Sequence, residues 1–277
     1  MRGPTAQPAT RHDRVPAGTS RQSAAWVASD YWEMAKRSLR HIRHDPEQLV
    51  NVTLQPVLIV LVADFLLGGA ISTGTPGSYI NFVMPGILVV AAAFAAVTTT
   101  VSVAADMLEG VMDRFRTLPM AKSAVITGHL IADLARSLLG LAVTIGAGYA
   151  VGFRPAAGIR GWATAVAVFL LVTLALSLLA ALIGLLGKSV EVAQQLGAII
   201  IIPIFFSSAL VPAGTMPSWL RVVTANQPVT QAVDTLRALL LNQPPATHLW
   251  LTLTEFAGII VVAFTLATIL FKRTASI

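Results

Sequence analysis

Apolar residues in this chain come in runs long enough to cross a bilayer. A helix rises 1.5 Å per residue, so about 20 mostly apolar residues span the roughly 30 Å hydrocarbon core. Six runs fit, at about 49–71, 80–105, 124–151, 162–186, 192–211 and 249–271. Backbone in lipid has no water to bond to and must satisfy itself, and at these lengths it does so as helix. Only 12% of the 277 residues are charged, against about 25% in soluble domains. The expected fold is therefore an all-α integral membrane domain of six transmembrane helices over residues 23–277, with no soluble domain and no internal repeat. Cysteine is absent, which excludes disulfides and thiolate chemistry.

Basic residues orient the spans, because Lys and Arg accumulate on the cytoplasmic side. With both termini inside, Arg154, Arg160, Arg221 and Arg237 fall outside and Arg136 within the third run, leaving fourteen of nineteen Lys and Arg inside. The expected location is a bacterial inner membrane, multi-pass, with both ends cytoplasmic. The formal charge of +6 then reports loops facing anionic lipid rather than a nucleic-acid partner. Residues 1–22 hold four arginines among Pro, Ala, Thr and Ser. That composition predicts a disordered cytoplasmic tail with no signal-peptide core.

Three connecting segments are more than loops. Between residues 23 and 43, Ala28, Tyr31, Trp32, Ala35, Leu39 and Ile42 form one helical stripe opposite Glu33, Lys36, Arg37, Arg40 and Arg43, the pattern of an amphipathic helix lying in the membrane interface. Residues 106–122 alternate Asp106, Glu109, Asp113, Arg114, Arg116 and Lys122 with Val111, Met112, Phe115 and Leu118. A positive-inside loop explains the bases but not the acids or the apolar spacing, and such a helix can seat its apolar anchors in a partner's groove. Residues 212–245 are broken by prolines at 212, 217, 228, 244 and 245, and predict short helices that dip into the outer leaflet and return.

Two blocks resemble a known family. EGVMDRFRTLPM at 109–120 and FFSSALVPAGTMPSWLRVVTANQPVTQAVDTLRALL at 205–240 are similar to type-2 ABC transporter permeases of the daunorubicin-resistance class, and the likeness extends over everything after residue 23. The second block is the more specific: Phe206 to Pro212, Met216 to Leu220, Gln227-Pro228-Val229 and Leu236 to Leu240 follow the family order, with Gln227 where relatives often carry Asn. The resemblance implies a six-span permease subunit of an exporter, with a coupling helix between spans two and three and re-entrant helices before span six. It implies partners as well: two copies of an ABC ATPase subunit that bind ATP and Mg2+, and a second permease subunit, the same chain or a sister. Carried onto this sequence, Glu109, Gly110, Arg114, Phe115 and Pro119 would form the coupling helix. Pro212, Met216, Pro217, Trp219, Gln227 and Pro228 would form the re-entrant outer gate. The cargo class would be a hydrophobic or amphipathic drug, antibiotic or lipid.

Two motifs point elsewhere and fail. GLLGKS at 184–189 resembles a phosphate-binding loop but has Leu182 where the first glycine must stand, so no ATPase activity or cofactor is expected in this chain. EVAQQLG at 191–197 resembles the docking motif of binding-protein-dependent importers, but Ser207, Ser208, Ala209 and Leu210 replace its continuation. Asp133 and Arg136 stand three apart on the third run and can pair on one helix face; a structural ion pair is favoured over a direct transport role. Asp64 and Glu255 fall near outer ends of their spans. The five histidines form no ligand set, so no metal site is expected. A proton-coupled secondary transporter, which calls for inverted repeats, and an importer permease are the alternative functions.

Overall fold

A computed structural model describes residues 46–68, 79–108, 123–244 and 246–274, and every regular element among them is a helix. Helix α1 (Pro46–Val62) runs into a π-helical turn at Ala63–Leu67. Helices α2 (Tyr79–Leu108), α3 (Ser123–Ala150) and α4 (Ile159–Leu186) have 30, 28 and 28 residues, about 42–45 Å each. A short α5 (Val190–Gly197) passes through a 3-10 turn (Ala198–Ile201) into a single turn, α6 (Ile202–Phe205). Two more short helices, α7 (Ser218–Ala225) and α8 (Pro228–Leu240), precede the 29-residue α9 (Ala246–Thr274). The amino-terminal tail, the amphipathic stretch 23–43 and the coupling segment 109–120 lie outside the described residues.

Three helices among the described residues are long and apolar enough to cross a membrane: Tyr79–Leu108, Ile159–Leu186 and His248–Leu270. Leu54–Leu66 and Val190–Phe205 are shorter apolar helices. Within the run 192–211 the helical path includes a 3-10 turn and ends at Phe205. Pro203 has no N–H to donate to the carbonyl four residues earlier, and the chain tightens into its 3-10 turn just before that position and leaves helical geometry after Phe205.

Helices α2 and α4 form the centre, with α1 and α3 on one flank and α8 and α9 on the other. Small residues set how closely they approach. A side chain on Gly184 would meet the Thr100 carbonyl at 2.7 Å, and one on Gly197 would meet the Thr100 side chain at 3.2 Å. Ala193, fully buried, sits under Gly187. The small residues of the importer-like EVAQQLG segment are thus packing contacts, and Ser189, from the failed phosphate-loop motif, caps α5 by accepting from the Val192 N–H. By contrast only 17% of the most apolar window of α9 is buried. Val261, Val262, Phe264 and Leu266 are exposed there, an outer surface that suits lipid.

The bundle has two unlike ends. At one, the start of α2, the segment before α4 and the first two turns of α9 meet α8: Arg237 donates to the Phe82 carbonyl at 3.0 Å, Ala156 and Ala157 donate to the Leu240 carbonyl at 3.0 and 3.1 Å, and Thr235 bonds Thr252 at 2.9 Å. Positive-φ Gly152 turns the chain between α3 and α4 at this same end. At the other end α4 passes to α5 through Gly187 in extended conformation.

Candidate functional site

The end closed by α7 and α8 carries the densest polar network among the described residues. It begins where α6 stops. The Phe206 carbonyl, left over at the broken helix end, accepts from the Thr224 hydroxyl at 2.7 Å and from the Gln227 amide. Gln227 also reaches the Thr230 hydroxyl at 3.2 Å, which accepts from the Ser208 N–H at 3.3 Å. Gln231 donates to the Ala225 carbonyl at 2.7 Å and meets His248 Nδ1 at 2.6 Å. Orphaned backbone groups in an apolar setting cost free energy unless a partner is supplied, and here side chains of α7 and α8 supply it.

Arg237 joins this network to the core. Its side chain is 13% exposed, with Nε donating to the Phe82 carbonyl at 3.0 Å and Nη2 to the Ser208 carbonyl at 2.8 Å. Nη1 pairs with Asp234, whose carboxylate also accepts from the Ser208 hydroxyl at 2.9 Å. The guanidinium lies over the Phe82 ring, 3.9 Å from its centroid, a favourable cation–π geometry. One side chain thus ties α2, the 206–211 segment and α8 together. The Tyr79 hydroxyl adds a bond to the Leu210 carbonyl at 2.8 Å. Gly86 lets the 206–211 segment lie flush on α2, since a side chain there would stand 2.0 Å from the Ala209 carbonyl oxygen.

The residues proposed for the outer gate divide on this evidence. Gln227 precedes the first turn of α8, and Pro228 starts the helix where its missing N–H costs nothing. Pro217 stands before α7, Pro212 before the 3-10 turn Ala213–Thr215, and Met216 places its sulfur 3.3 Å from the Thr224 hydroxyl. Trp219 points away, 67% exposed. By sequence Asp234 and Arg237 fall in the connector 212–245 and Ser208 in the fifth run, 192–211. The Asp–x–x–Arg spacing inside an otherwise apolar helix, the same as in Asp133 and Arg136, was the available signal; Phe82 carried none, because it contributes a carbonyl and a ring face.

A second polar cluster lies inside the bundle. Arg136 is thirteen residues from Ser123 and fourteen from Ala150, about 20 Å from either end of α3. Its Nη2 is 3.0 Å from Asp133, which accepts from Thr99 of α2 at 2.7 Å. Arg136 Nε and the Ser137 hydroxyl are buried with no hydrogen-bond partner. Arg136 and Ser137 are among the residues that line a cavity between α1, α2 and α3, with Phe169 of α4 also in its wall. Among the described residues no three His, Asp or Glu side chains group as metal ligands.

Long apolar helices with charged groups paired in their interior are the mark of a polytopic membrane protein. The ABC-2 type transporter family matches residues 29–241, and the chain belongs to it: it is a membrane-spanning permease that works with an ABC ATPase to export cargo. It is 30% identical over 238 residues to a daunorubicin resistance ABC transporter permease, DrrB1, of Streptomyces coeruleorubidus, covering 86% of this chain and 84% of that one. It is 25% identical over 267 residues to a probable doxorubicin resistance permease, DrrC, of Mycobacterium tuberculosis, 95% of each chain. A second Mycobacterium tuberculosis relative, the doxorubicin resistance permease DrrB, is 28% identical over 178 residues, 62% of this chain and 60% of that one.

Proposed function

We propose that this chain is one of two permease subunits, identical or sister chains, that sit in a bacterial inner membrane over two ABC ATPase subunits and expel a hydrophobic or amphipathic cargo. Each subunit crosses six times with both termini in the cytoplasm. Spans two to four and six correspond to α2, α3, α4 and α9, span one to α1, and span five to the broken α5–α6 segment. The end closed by α7 and α8 faces outward, and the pair is re-entrant. What supports this reading is that closed end: the motif block 205–240 folds into a network whose side chains bond the Phe206 and Ser208 backbone groups at the end of the fifth span, as a gate at membrane depth requires. The printed names of the relatives, daunorubicin and doxorubicin resistance permeases, favour a drug-like cargo.

ATP and Mg2+ are bound in the partner. Glu109, Gly110, Arg114, Phe115 and Pro119 form the coupling helix, with apolar anchors in a groove of the ATPase and charges at the rim. ATPase closure moves that helix, and α2, continuous from the coupling segment to the contact of Gly86 with Ala209, carries the motion to the outer gate. Affinity purification of the tagged chain from its native membrane tests the reading. An ABC ATPase should co-purify with the wild type and be lost on reversing the charge at Glu109 or Arg114. Recovery of the permease alone, still exporting in a proton gradient, would sink it in favour of a secondary transporter.

A further inference from the structure

We infer that this permease pairs with a second copy of itself along one face of its fifth span, Lys188 of each copy lying against Glu191 of the other. The inference rests on the two-permease reading above, which stands both copies the same way up in one membrane. It adds that the copies are identical, and it names the surface they share.

The helical path Val190–Phe205 has two faces. Ala193, Gly197, Ile200 and Ile204, spaced four, three and four apart, are buried against the chain's own bundle, and Gly197 packs on Thr100 of α2. Glu191, Gln195, Ala198, Ile202 and Phe205 repeat that spacing on another side, and all are exposed. Steps of four and three in alternation keep one seam along a helix, the repeat by which parallel helices interlock their side chains. An apolar seam alone would suit lipid, but this one is polar at its cytoplasmic end and complementary to itself. Lys188 and Glu191 are exposed at the corner between α4 and α5, and neither forms an ion pair among the described residues. The Glu191 carboxylate is fixed by the Ser189 hydroxyl and its own N–H. A two-fold axis along the membrane normal turns Lys188 of each copy toward Glu191 of the other, the self-matching contact of an isologous dimer, and the long lysine stem spans the one-turn offset. Gln195 comes next on the seam and makes no side-chain hydrogen bond among the described residues. An amide carries both donors and an acceptor, so two identical glutamines can bond each other. Ala198 then allows close approach.

Depth chooses between a second permease and the ATPase as the occupant. Gly197 lies level with Thr100, which precedes the end of α2 at Leu108 by eight residues, about 12 Å. Ile202 and Phe205 are therefore about 20 and 24 Å from the cytoplasmic end of α2, beyond the reach of a cytoplasmic protein, yet they continue the seam that Glu191 begins. A membrane-embedded copy covers the whole seam, whereas the ATPase could meet its first turn alone.

The chain has no cysteine, so single introduced cysteines report one contact each. Gln195→Cys, Ala198→Cys and Ile202→Cys are made one at a time, with Val262→Cys on the exposed face of α9 as control, and the full complex is oxidised in its native membrane with copper phenanthroline. Disulfide-linked pairs should form at 195, 198 and 202 at least about tenfold faster than at 262, because a disulfide needs Cα atoms within about 7 Å of each other. Charge reversal then tests the pairing, read through Ile202→Cys. Lys188→Glu and Glu191→Lys should each slow that crosslink about three- to fivefold, since each sets like charges together. Expressed together, the two variants should restore it, because each carries the charge that the other lacks; so should Lys188→Glu combined with Glu191→Lys in one chain. Slow crosslinking at all three seam positions while an ABC ATPase still co-purifies overturns the shared face and keeps the exporter. A seam crosslink that neither reversal slows overturns the pairing of Lys188 with Glu191, and if the reversals release the ATPase instead, the corner belongs to the ATPase. Crosslinks that form and respond as expected in a chain that purifies without an ATPase uphold the pairing and remove the reading of two permeases over two ATPases.

Discussion

Two acid–arginine pairs of identical spacing sit in this molecule and are used differently. Asp234 and Arg237, at the closed end, bond on every side: a carbonyl from α2, a carbonyl and a hydroxyl from Ser208, and an aromatic face. Asp133 and Arg136, in mid-bundle, bond one another, Asp133 also accepts from Thr99, and Arg136 Nε is buried without a hydrogen-bond partner. A buried ion pair is weak evidence for stability in itself, because desolvation offsets much of its attraction. What separates the two is the number of backbone groups that depend on each. Arg237 is a fastener whose loss takes a donor from two carbonyls and a carboxylate, and Arg136 is a charge paired within one helix.

Neutralising each pair in full is the sharpest way to break that contrast. Asp234→Asn with Arg237→Met should lower the stability of the detergent-solubilised protein by about 3–5 kcal/mol, because the carbonyls of Phe82 and Ser208 lose the guanidinium donor that ties α2, the 206–211 segment and α8 together. Asp133→Asn with Arg136→Met should leave the thermal transition within about 1.5 kcal/mol of wild type while export falls, since both charges of a buried pair are removed together and neither is left uncompensated. Equal losses of stability from the two double variants, in side-by-side thermal melts, would show that both pairs are structural. Gly86→Ala comes next. Its new side chain collides with the Ala209 carbonyl, and overpacking of this sort costs about 1–3 kcal/mol; crosslinking of cysteines placed at 82 and 208 should slow as the segment lifts off α2. Thr99→Val should cost about 1 kcal/mol, by loss of one hydrogen bond to a carboxylate within the bundle. The smallest effect is expected for Thr235→Val, about 0.6 kcal/mol for a hydroxyl pair between α8 and α9, read from the same melts with export unchanged.

The segment 205–240 shows how far sequence reading went. Its prolines and its motif order announced short helices, and Pro217 and Pro228 do stand where α7 and α8 begin, because a residue without an N–H suits a helix start. The same reasoning drew the run 192–211 without its local geometry, since hydropathy averages over a window and is blind to the 3-10 turn at Ala198–Ile201 and to the helix end at Phe205. It left Arg237 among outer-facing bases, because the positive-inside rule counts charges by connector and says nothing of whether a guanidinium finds carbonyls to bind.

Hydropathy and composition by themselves determined that this chain lives in lipid as helices, since each residue's cost of transfer from water is a property of that residue, and helical backbone is the local answer to a solvent that cannot hydrogen-bond. The spacing of Asp133 and Arg136 likewise announced a pair, because residues three apart on a helix are neighbours whatever the fold. Only the tertiary structure decided that Arg237 would join α2 to α8 across 155 positions of sequence, that Gly86 would lie against Ala209, and that Ser137 would be buried without a hydrogen-bond partner. Those are outcomes of which helices meet and at what register, and no local pattern encodes them.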